Sequence, residues 1–212
     1  DGKFNWDLSG TYTLDKNINL YARAATGFRA SSIQSASAFN GKSVADPETN
    51  TSIEAGIKAD LFDRRARLNF GVFHYTVKDL QLTAVGSSAN SNVLRNAKKA
   101  TGSSFELDLQ ALLTNNLMAS VGVGYNDTKI KDSGLVVSAC GTAQNAPNPQ
   151  ANCTILDPHV YEQDAVTGDW TAKANINGNP LPQAPKTTVN FTLRYSQPMA
   201  SGAELYVLTD WV

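Results

Sequence analysis

The sequence predicts an all-β protein, an antiparallel transmembrane β-barrel segment of about eight strands with short periplasmic turns and long extracellular loops. Apolar and polar residues alternate along successive segments, which is the pattern of a strand with two unlike faces. Short connections between these segments alternate with generally longer ones. The 212 residues also contain no apolar run close to the roughly 18 residues that a membrane-spanning helix needs.

Eight segments carry the alternation, and turn or loop residues bound each of them. Their limits, uncertain by about two to four residues, are 5–14, 17–26, 49–61, 66–85, 92–113, 117–130, 186–196 and 203–212. In the third segment, Ile53 and Ile57 alternate with Glu54 and Lys58. Each apolar row has about the 9 to 11 residues with which a tilted strand crosses hydrocarbon.

The connections predict which end of the sheet faces which compartment. Tight turns lie at 15–16, 62–65, 114–116 and 197–202. Residues 27–48 and 131–185 are predicted to be extended irregular insertions, and 86–91 links two unusually long strands. Outer-membrane barrels have short periplasmic turns and long extracellular loops. The tight turns are therefore assigned to the periplasmic end.

The alternation also predicts what each face meets. We expect the apolar rows to face lipid: Ile53, Ile57, Leu107, Leu109, Val121, Val123, Phe191 and Leu193. We expect the polar rows to face the lumen: Glu54, Lys58, Glu106, Asp108 and Arg194. A soluble β-sandwich is the alternative, with the apolar rows inward. Long strands, small residues in the polar rows and aromatics at strand ends (Tyr125, Tyr195, Trp211) favour the barrel.

Two cysteines, Cys140 and Cys153, lie in an aperiodic segment rich in Asn, Ala and Pro. We predict a disulfide between them, closing a loop of about 14 residues that the chain-entropy model values at roughly 3 kcal/mol. Such a bond persists in an oxidising compartment, so the chain is expected to fold outside the cytosol. The alternative is two unrelated buried thiols, which the polar flanking residues disfavour.

Charge and motifs argue against several classes of function. The formal net charge is −1, so no basic field exists to bind nucleic acid. The N-terminal residues lack the pattern of a signal peptide. No catalytic or nucleotide-binding motif occurs, and the two histidines lie in different contexts, so no enzyme and no cofactor is expected. Residues 157–164 and Asp169 match no defined metal loop, and a solvated loop is expected there.

The long insertion holds the candidate ligand-binding residues. Aromatic and imidazole side chains in loops often anchor ligands, and His159, Tyr161 and Trp170 are the candidates here. Packing within the loop or a place in the aromatic girdle is the alternative role for these side chains.

Three stretches of the chain carry recognisable motifs: LYARAATGFRASSIQ (20–34), the segment from ADPETN to KDLQL (45–82) and NAKKATGSSFELDL (96–109). They resemble the TonB-dependent receptor family, the large plugged outer-membrane barrels. The resemblance is weaker over 114–130 and 186–212 and absent from the long insertion. Ser31 stands where the family usually has Pro, and Ser104 where it often has Gly.

The resemblance implies a partial barrel over residues 1–212, because members have an N-terminal plug domain and about twenty-two strands. The plug and the terminal strand are expected to be absent from this chain. It further implies residence in the lipid of the bacterial outer membrane and uptake of a small-molecule nutrient: a siderophore, a cobalamin or a saccharide. The TonB complex is expected to supply energy through the absent plug. A small closed outer-membrane barrel acting as an adhesin or surface binding module is the alternative.

Overall fold

The structure is a computed structural model that describes residues 2–34, 44–85, 92–143, 159–163 and 170–212. All regular elements in these residues are strands. The described part of the chain holds no helix that is long and apolar enough to cross a membrane. Eight strands form the main sheet: β1 (Asp7–Asp15), β2 (Ile18–Arg29), β5 (Glu48–Leu61), β6 (Ala66–Val85), β7 (Asn92–Leu112), β8 (Leu117–Ile130), β12 (Thr187–Pro198) and β13 (Glu204–Trp211).

These eight strands are the eight that the alternation predicts. They pair antiparallel in the order β1-β2-β5-β6-β7-β8-β12-β13, so strands that neighbour one another among the eight also neighbour one another in the sheet. Their ends differ from the predicted ends by a few residues at most. The largest difference is at β2, which continues to Arg29. The predicted fold class is therefore confirmed.

The prediction that the two long insertions are irregular was wrong in part. Residues 27–48 contain a small two-stranded sheet of β3 (Ser32–Ile33) and β4 (Val44–Ala45). A three-stranded sheet lies within 131–185, formed by β9 (Val136–Ala143), β10 (Val160–Gln163) and β11 (Trp170–Asn175), in the order β10-β11-β9. These strands are short, and pairing with distant segments, rather than a local pattern, makes them strands.

The register makes each face of the main sheet continuous, because paired residues of an antiparallel sheet point to the same side. Ile57 is opposite Leu20 and Phe70, and Leu107 is opposite Phe70 and Val123. All the residues predicted to face lipid share this side, which we call the apolar face. All the residues predicted to face the lumen lie on the other side, the polar face, where Asn69 is opposite both Lys58 and Asp108.

No second sheet covers the apolar face within the described residues. Ile53, Val72 and Val189 remain 58%, 45% and 52% exposed, respectively. This excludes the sandwich, in which the apolar rows pack into a dry centre. In the described chain β1 pairs only with β2 and β13 only with β12. The eight strands thus form an open sheet, and the closed eight-stranded barrel is not observed.

The tight turn between β5 and β6 is locked by arginine. Phe62, Asp63 and Arg64 all have positive φ, at 53°, 54° and 66°. The Arg65 amide donates to the carbonyl of Phe62 at 3.1 Å. The guanidinium of Arg65 donates to the Leu112 carbonyl at 3.0 Å, which joins this turn to the next one at the same end of the sheet.

Candidate functional site

The polar face is organised around Tyr21 of β2. Its ring lies across Gly56 of β5, where an added Cβ would be 2.5 Å from the ring, and its hydroxyl reaches Gly71 of β6. The hydroxyl donates to Oε1 of Glu54 at 2.7 Å. The ammonium of Lys58 lies 5.5 Å from the ring centroid, within the range of a cation–π contact. Two of the predicted lumen-facing residues are therefore held in place by one tyrosine.

An open hollow of about 320 Å³ lies beside this tyrosine and brings the acidic residues together. Tyr21, Glu54, Glu106 and Asp108 all line it, with Asn69 at its edge. Three carboxylates with one nearby ammonium make the hollow a surface of hydrogen-bond acceptors. Such a surface suits a polar or cationic partner.

Arg194 of β12 lies apart from this group. β8 separates its strand from β7. Its Nη2 donates to Oε1 of Glu204 at 3.2 Å, and its guanidinium is 4.8 Å from the ring of Tyr206. Arg194 shares the polar face with this group, but the structure does not bring it to the hollow.

Among the polar residues that line the hollow, the sequence analysis missed Tyr21, Ser52 and Asn69. A signal was present: Gly56 and Gly71 are directly opposite each other on the polar face. A pair of glycines in register indicates that a side chain from a third strand occupies the space. The pairing is needed to see this, because the two glycines are separated along the chain.

On the apolar face, aromatic rings form a row across three strands. The ring centroids of Phe70 and Phe105 are 6.3 Å apart, and Phe105 stacks on Tyr125 at 5.7 Å. Phe191 stacks on Trp211 at 5.4 Å. Such pairs add to the stability of neighbouring strands.

At the end of the sheet opposite the tight turns, Gln81 of β6 is 7% exposed and fully hydrogen-bonded. Its backbone N–H donates to Oε2 of Glu48 at 2.8 Å. Its Nε2 donates to the carbonyls of Ala30 at 2.8 Å and Asp46 at 3.1 Å, and its Oε1 accepts from Oγ of Ser32 at 2.6 Å. One side chain thus connects β6 to the end of β2, to β3 and to β4.

Asn96 of β7 continues this arrangement. Its Nδ2 donates to the carbonyls of Asp46 at 2.9 Å and Asp79 at 2.6 Å, and its Oδ1 accepts from the Asp46 amide at 2.8 Å. Asp79 has a φ of 54°, which turns its carbonyl out of the ladder. We call Ser32, Asp46, Glu48, Gln81 and Asn96 the rim cluster. The three stretches that carry the family resemblance meet in it.

Asp132 completes the β6–β7 ladder from the other side. Its carboxylate accepts from the amides of Lys98 and Gly134, each at 3.0 Å. The backbone donor of Lys98 is the main reason that the pKa of Asp132 lies below its ordinary value. Next to it is a small core of Ala97, Ile130 and Leu135.

The candidate ligand-binding residues lie on or beside the three-stranded sheet. The rings of His159 and Tyr161 meet edge to face at 4.8 Å. Trp170 is opposite Gln163 in the β10–β11 ladder, and its side chain is outside the described part. The predicted disulfide also falls there, since Cys153 and the side chain of Cys140 are not described. No group of three or more metal-ligating side chains occurs among the described residues.

The chain matches the family model described as TonB dependent receptor-like, beta-barrel, over residues 1–211. The chain belongs to the TonB-dependent receptor family. The barrels of this family lie in the outer membrane, which fits the open two-faced sheet. A curated relative, the metal-pseudopaline receptor CntO of Pseudomonas aeruginosa, is 27% identical over 206 residues. The alignment covers 92% of this chain and 27% of the relative, so the chain spans about a quarter of that receptor's length.

Solved TonB-dependent receptors have the same fold over most of the chain. The ferric yersiniabactin uptake receptor FyuA of Yersinia pestis is 15% identical with a TM-score of 0.59, covering 92% of this chain and 23% of that one. The siderophore receptor PiuA of Acinetobacter baumannii is 19% identical with a TM-score of 0.56, covering 90% and 23%.

Proposed function

We propose that this chain is part of an outer-membrane active-transport receptor that imports a metal chelate of the siderophore type, energised by TonB. The observation that carries the proposal is family membership over residues 1–211, joined to a sheet whose two faces differ as a membrane wall requires. The metal chelate is preferred to a cobalamin or a saccharide because the curated relative is named as a receptor for metal-pseudopaline.

In this proposal the two faces have separate roles. The apolar face, with Ile53, Val121 and Phe191, lies against lipid. The polar face lines the interior, where the hollow beside Tyr21 and Glu54 presents acceptors to the plug or to the passing chelate. His159 and Tyr161 contact the chelate from outside, and the predicted disulfide restrains the insertion that carries them.

The proposal is tested by measuring chelate uptake in cells in which the complete receptor is the sole route of entry. Radiolabelled iron would be offered on catecholate, hydroxamate and carboxylate chelators, with cobalamin and an oligosaccharide alongside. We expect saturable uptake of one chelate class that stops when a protonophore is added or TonB is deleted. Uptake of none of the chelates, or uptake that persists without TonB, contradicts the proposal.

The role of the loop residues has its own test in the same cells. Replacing His159 and Tyr161 by Ala should raise the half-saturation concentration of uptake roughly tenfold, as expected when a central contact is lost. Val160→Ala is the matched control, because Val160 lies between them in the chain, at the start of β10, and is 60% exposed. An unchanged half-saturation concentration for the double variant would contradict a role of these two rings in binding the chelate.

A further inference from the structure

Three lysines lie side by side on neighbouring strands of the main sheet, beyond the apolar rows and towards the end opposite the tight turns. Lys78 of β6 is directly opposite Lys99 of β7. The amide of Lys131 donates to the carbonyl of Lys99 at 2.8 Å, which extends the β7–β8 register one residue beyond Ile130. All three side chains are exposed. We call Lys78, Lys99 and Lys131 the lysine row.

The alternation of each strand places the lysine row on the apolar face. Lys78 follows Phe70 and Val72 at even spacing, and Lys99 precedes Phe105 and Leu107 in the same way. Along this face, the side chains change from apolar to polar and then to cationic over three successive sets of paired residues across β6, β7 and β8. His74, Ser103 and Asp127 form the first; Thr76, Thr101 and Lys129 the second; and Lys78, Lys99 and Lys131 the third.

The lysine row has a surplus of positive charge. Among the described residues, no carboxylate lies within ion-pair distance of its three ammonium groups, whereas Lys129 is paired with Asp127 at 2.9 Å. Three arginines elsewhere on the sheet are paired with carboxylates: Arg23 with Asp7, Arg67 with Asp60 and Arg194 with Glu204. Like charges directly opposite each other destabilise a sheet. The arrangement therefore fits an external anionic partner that spans all three strands.

We propose that the lysine row binds the phosphate groups of outer-leaflet lipid. This rests on the proposed function, which places the apolar face against lipid and the tight turns in the periplasm. A lipid whose chains lie along Phe70 and Phe105 has its headgroup at the level of the lysines, because the cationic rungs follow the apolar ones on the same strands. Lysine stems can lie along apolar surface while their ammonium groups reach the headgroup.

The test compares two lipids on the complete receptor purified in detergent. Binding of bis-phosphorylated lipid A and of the same lipid without phosphates is measured by native mass spectrometry. We expect the wild type to prefer the phosphorylated form. The variant Lys78→Gln, Lys99→Gln, Lys131→Gln should lose that preference, on the order of a hundredfold for three cations at a membrane surface.

Matched controls separate this site from general charge effects. Lys3→Gln, Lys16→Gln, Arg64→Gln removes the same charge; it leaves the lysine row intact and should keep the preference. Thermal unfolding of both variants in detergent confirms that they are folded. A wild type that binds both lipids equally, or a lysine-row variant that keeps the preference, overturns the inference.

Two further measurements distinguish a failure of the lipid inference from a failure of the proposed function. If millimolar inorganic phosphate displaces the lipid, the row is a site for soluble anions, and the inference about lipid is wrong. Chelate uptake by the lysine-row variant is measured separately. Absent uptake in the wild type contradicts the proposed function alone, because the lipid preference does not depend on transport.

Discussion

Single glycines on the polar face mark places where a side chain from a neighbouring strand fills the space of a Cβ. At Gly102, an added Cβ would lie 2.3 Å from the ring of Tyr75, which is directly opposite. At Gly122 it would lie 2.5 Å from the side-chain amide of Asn190. These glycines therefore let large side chains lie flat between strands, as Tyr21 does.

We predict that Gly102→Ala destabilises the complete receptor by about 1–3 kcal/mol, the usual cost of overpacking. The new methyl group displaces the Tyr75 ring, and no backbone atom lies among the nearest neighbours of this position. Equilibrium unfolding by urea in lipid vesicles measures the change.

Gly10→Ala is the control for that variant. A Cβ at Gly10 would meet no heavy atom within 4 Å, and Gly10 is also in a strand of the main sheet. Its substitution should not reduce stability. Tyr75→Ala should also remove most of the effect of Gly102→Ala in the double variant. Equal losses at both glycines would refute the packing argument.

The long hairpin of β6 and β7 depends on side chains where its own ladder is interrupted. Between the pairs Lys78–Lys99 and Leu80–Ala97, the register has no pair at Asp79. Asn96 binds the carbonyl of Asp79, and Asp132 binds the amide of Lys98. The same break is where β4 docks, so the rim cluster both repairs the hairpin and attaches the insertion.

Gln81→Leu should open this attachment while leaving the main sheet folded. The carbonyl of Ala30 loses its donor and Oγ of Ser32 loses its acceptor, whereas the carbonyl of Asp46 keeps its bond from Asn96. An unsatisfied buried group costs about 1–3 kcal/mol. We expect faster hydrogen exchange at the amides of 30–33, 44–46 and 48. Gln110→Leu, at an exposed glutamine of β7, should leave that exchange unchanged. Protection unaltered by Gln81→Leu would mean that other contacts hold β3 and β4.

Asp132 should make the adjoining turn sensitive to acid. Its pKa in the folded chain is below the ordinary 3.8, so its carboxylate stabilises the turn above that pH. The stabilisation is lost as the pH falls through the lower, folded value. The protection factors of the Lys98 and Gly134 amides, taken relative to the intrinsic exchange rate at each pH, should therefore decrease as the pH is lowered past about 4. Asp132→Asn should show fast exchange at neutral pH also, and a wild type that stays protected in acid would contradict this.

The whole sheet behaves as one wall with two unlike surfaces, because the register of the eight strands shifts by one residue only at the turn end of β1, between Thr13 and Asp15. A slip would move every apolar side chain of a strand to the polar face. The long rows of exposed Ile, Val and Phe are stable in a bilayer, whereas in water they would form an aggregation-prone surface.

This orientation makes a prediction about paired substitutions. Val121→Lys should cost about 2–4 kcal/mol near the bilayer midplane, and Ser120→Lys, on the polar face, should be mild. Phe191→Lys and Asn190→Lys on β12 form a second pair, and these two residues are opposite Val121 and Gly122 of β8. Unfolding in vesicles measures all four variants. Similar losses on both faces would mean that the apolar face does not meet lipid.

The amino-acid sequence by itself determined the number of main strands, their approximate ends and the division of residues between two faces. Ile57 and Lys58 are assigned to opposite faces by position alone, because a strand has a period of two. The family resemblance was also visible locally. The purpose of its motifs was not, since Asp46, Gln81 and Asn96 act on one another across tens of residues.

Only the tertiary structure decided the sheet of β9 to β11, the rim cluster, the lysine row and the separation of Arg194 from the hollow. Each of these depends on which segments lie side by side. Alternation is a property of one strand and is written along the chain. Pairing partners and their register are set by the sheet as a whole, where loop closure, packing and hydrogen bonds between distant segments are balanced together.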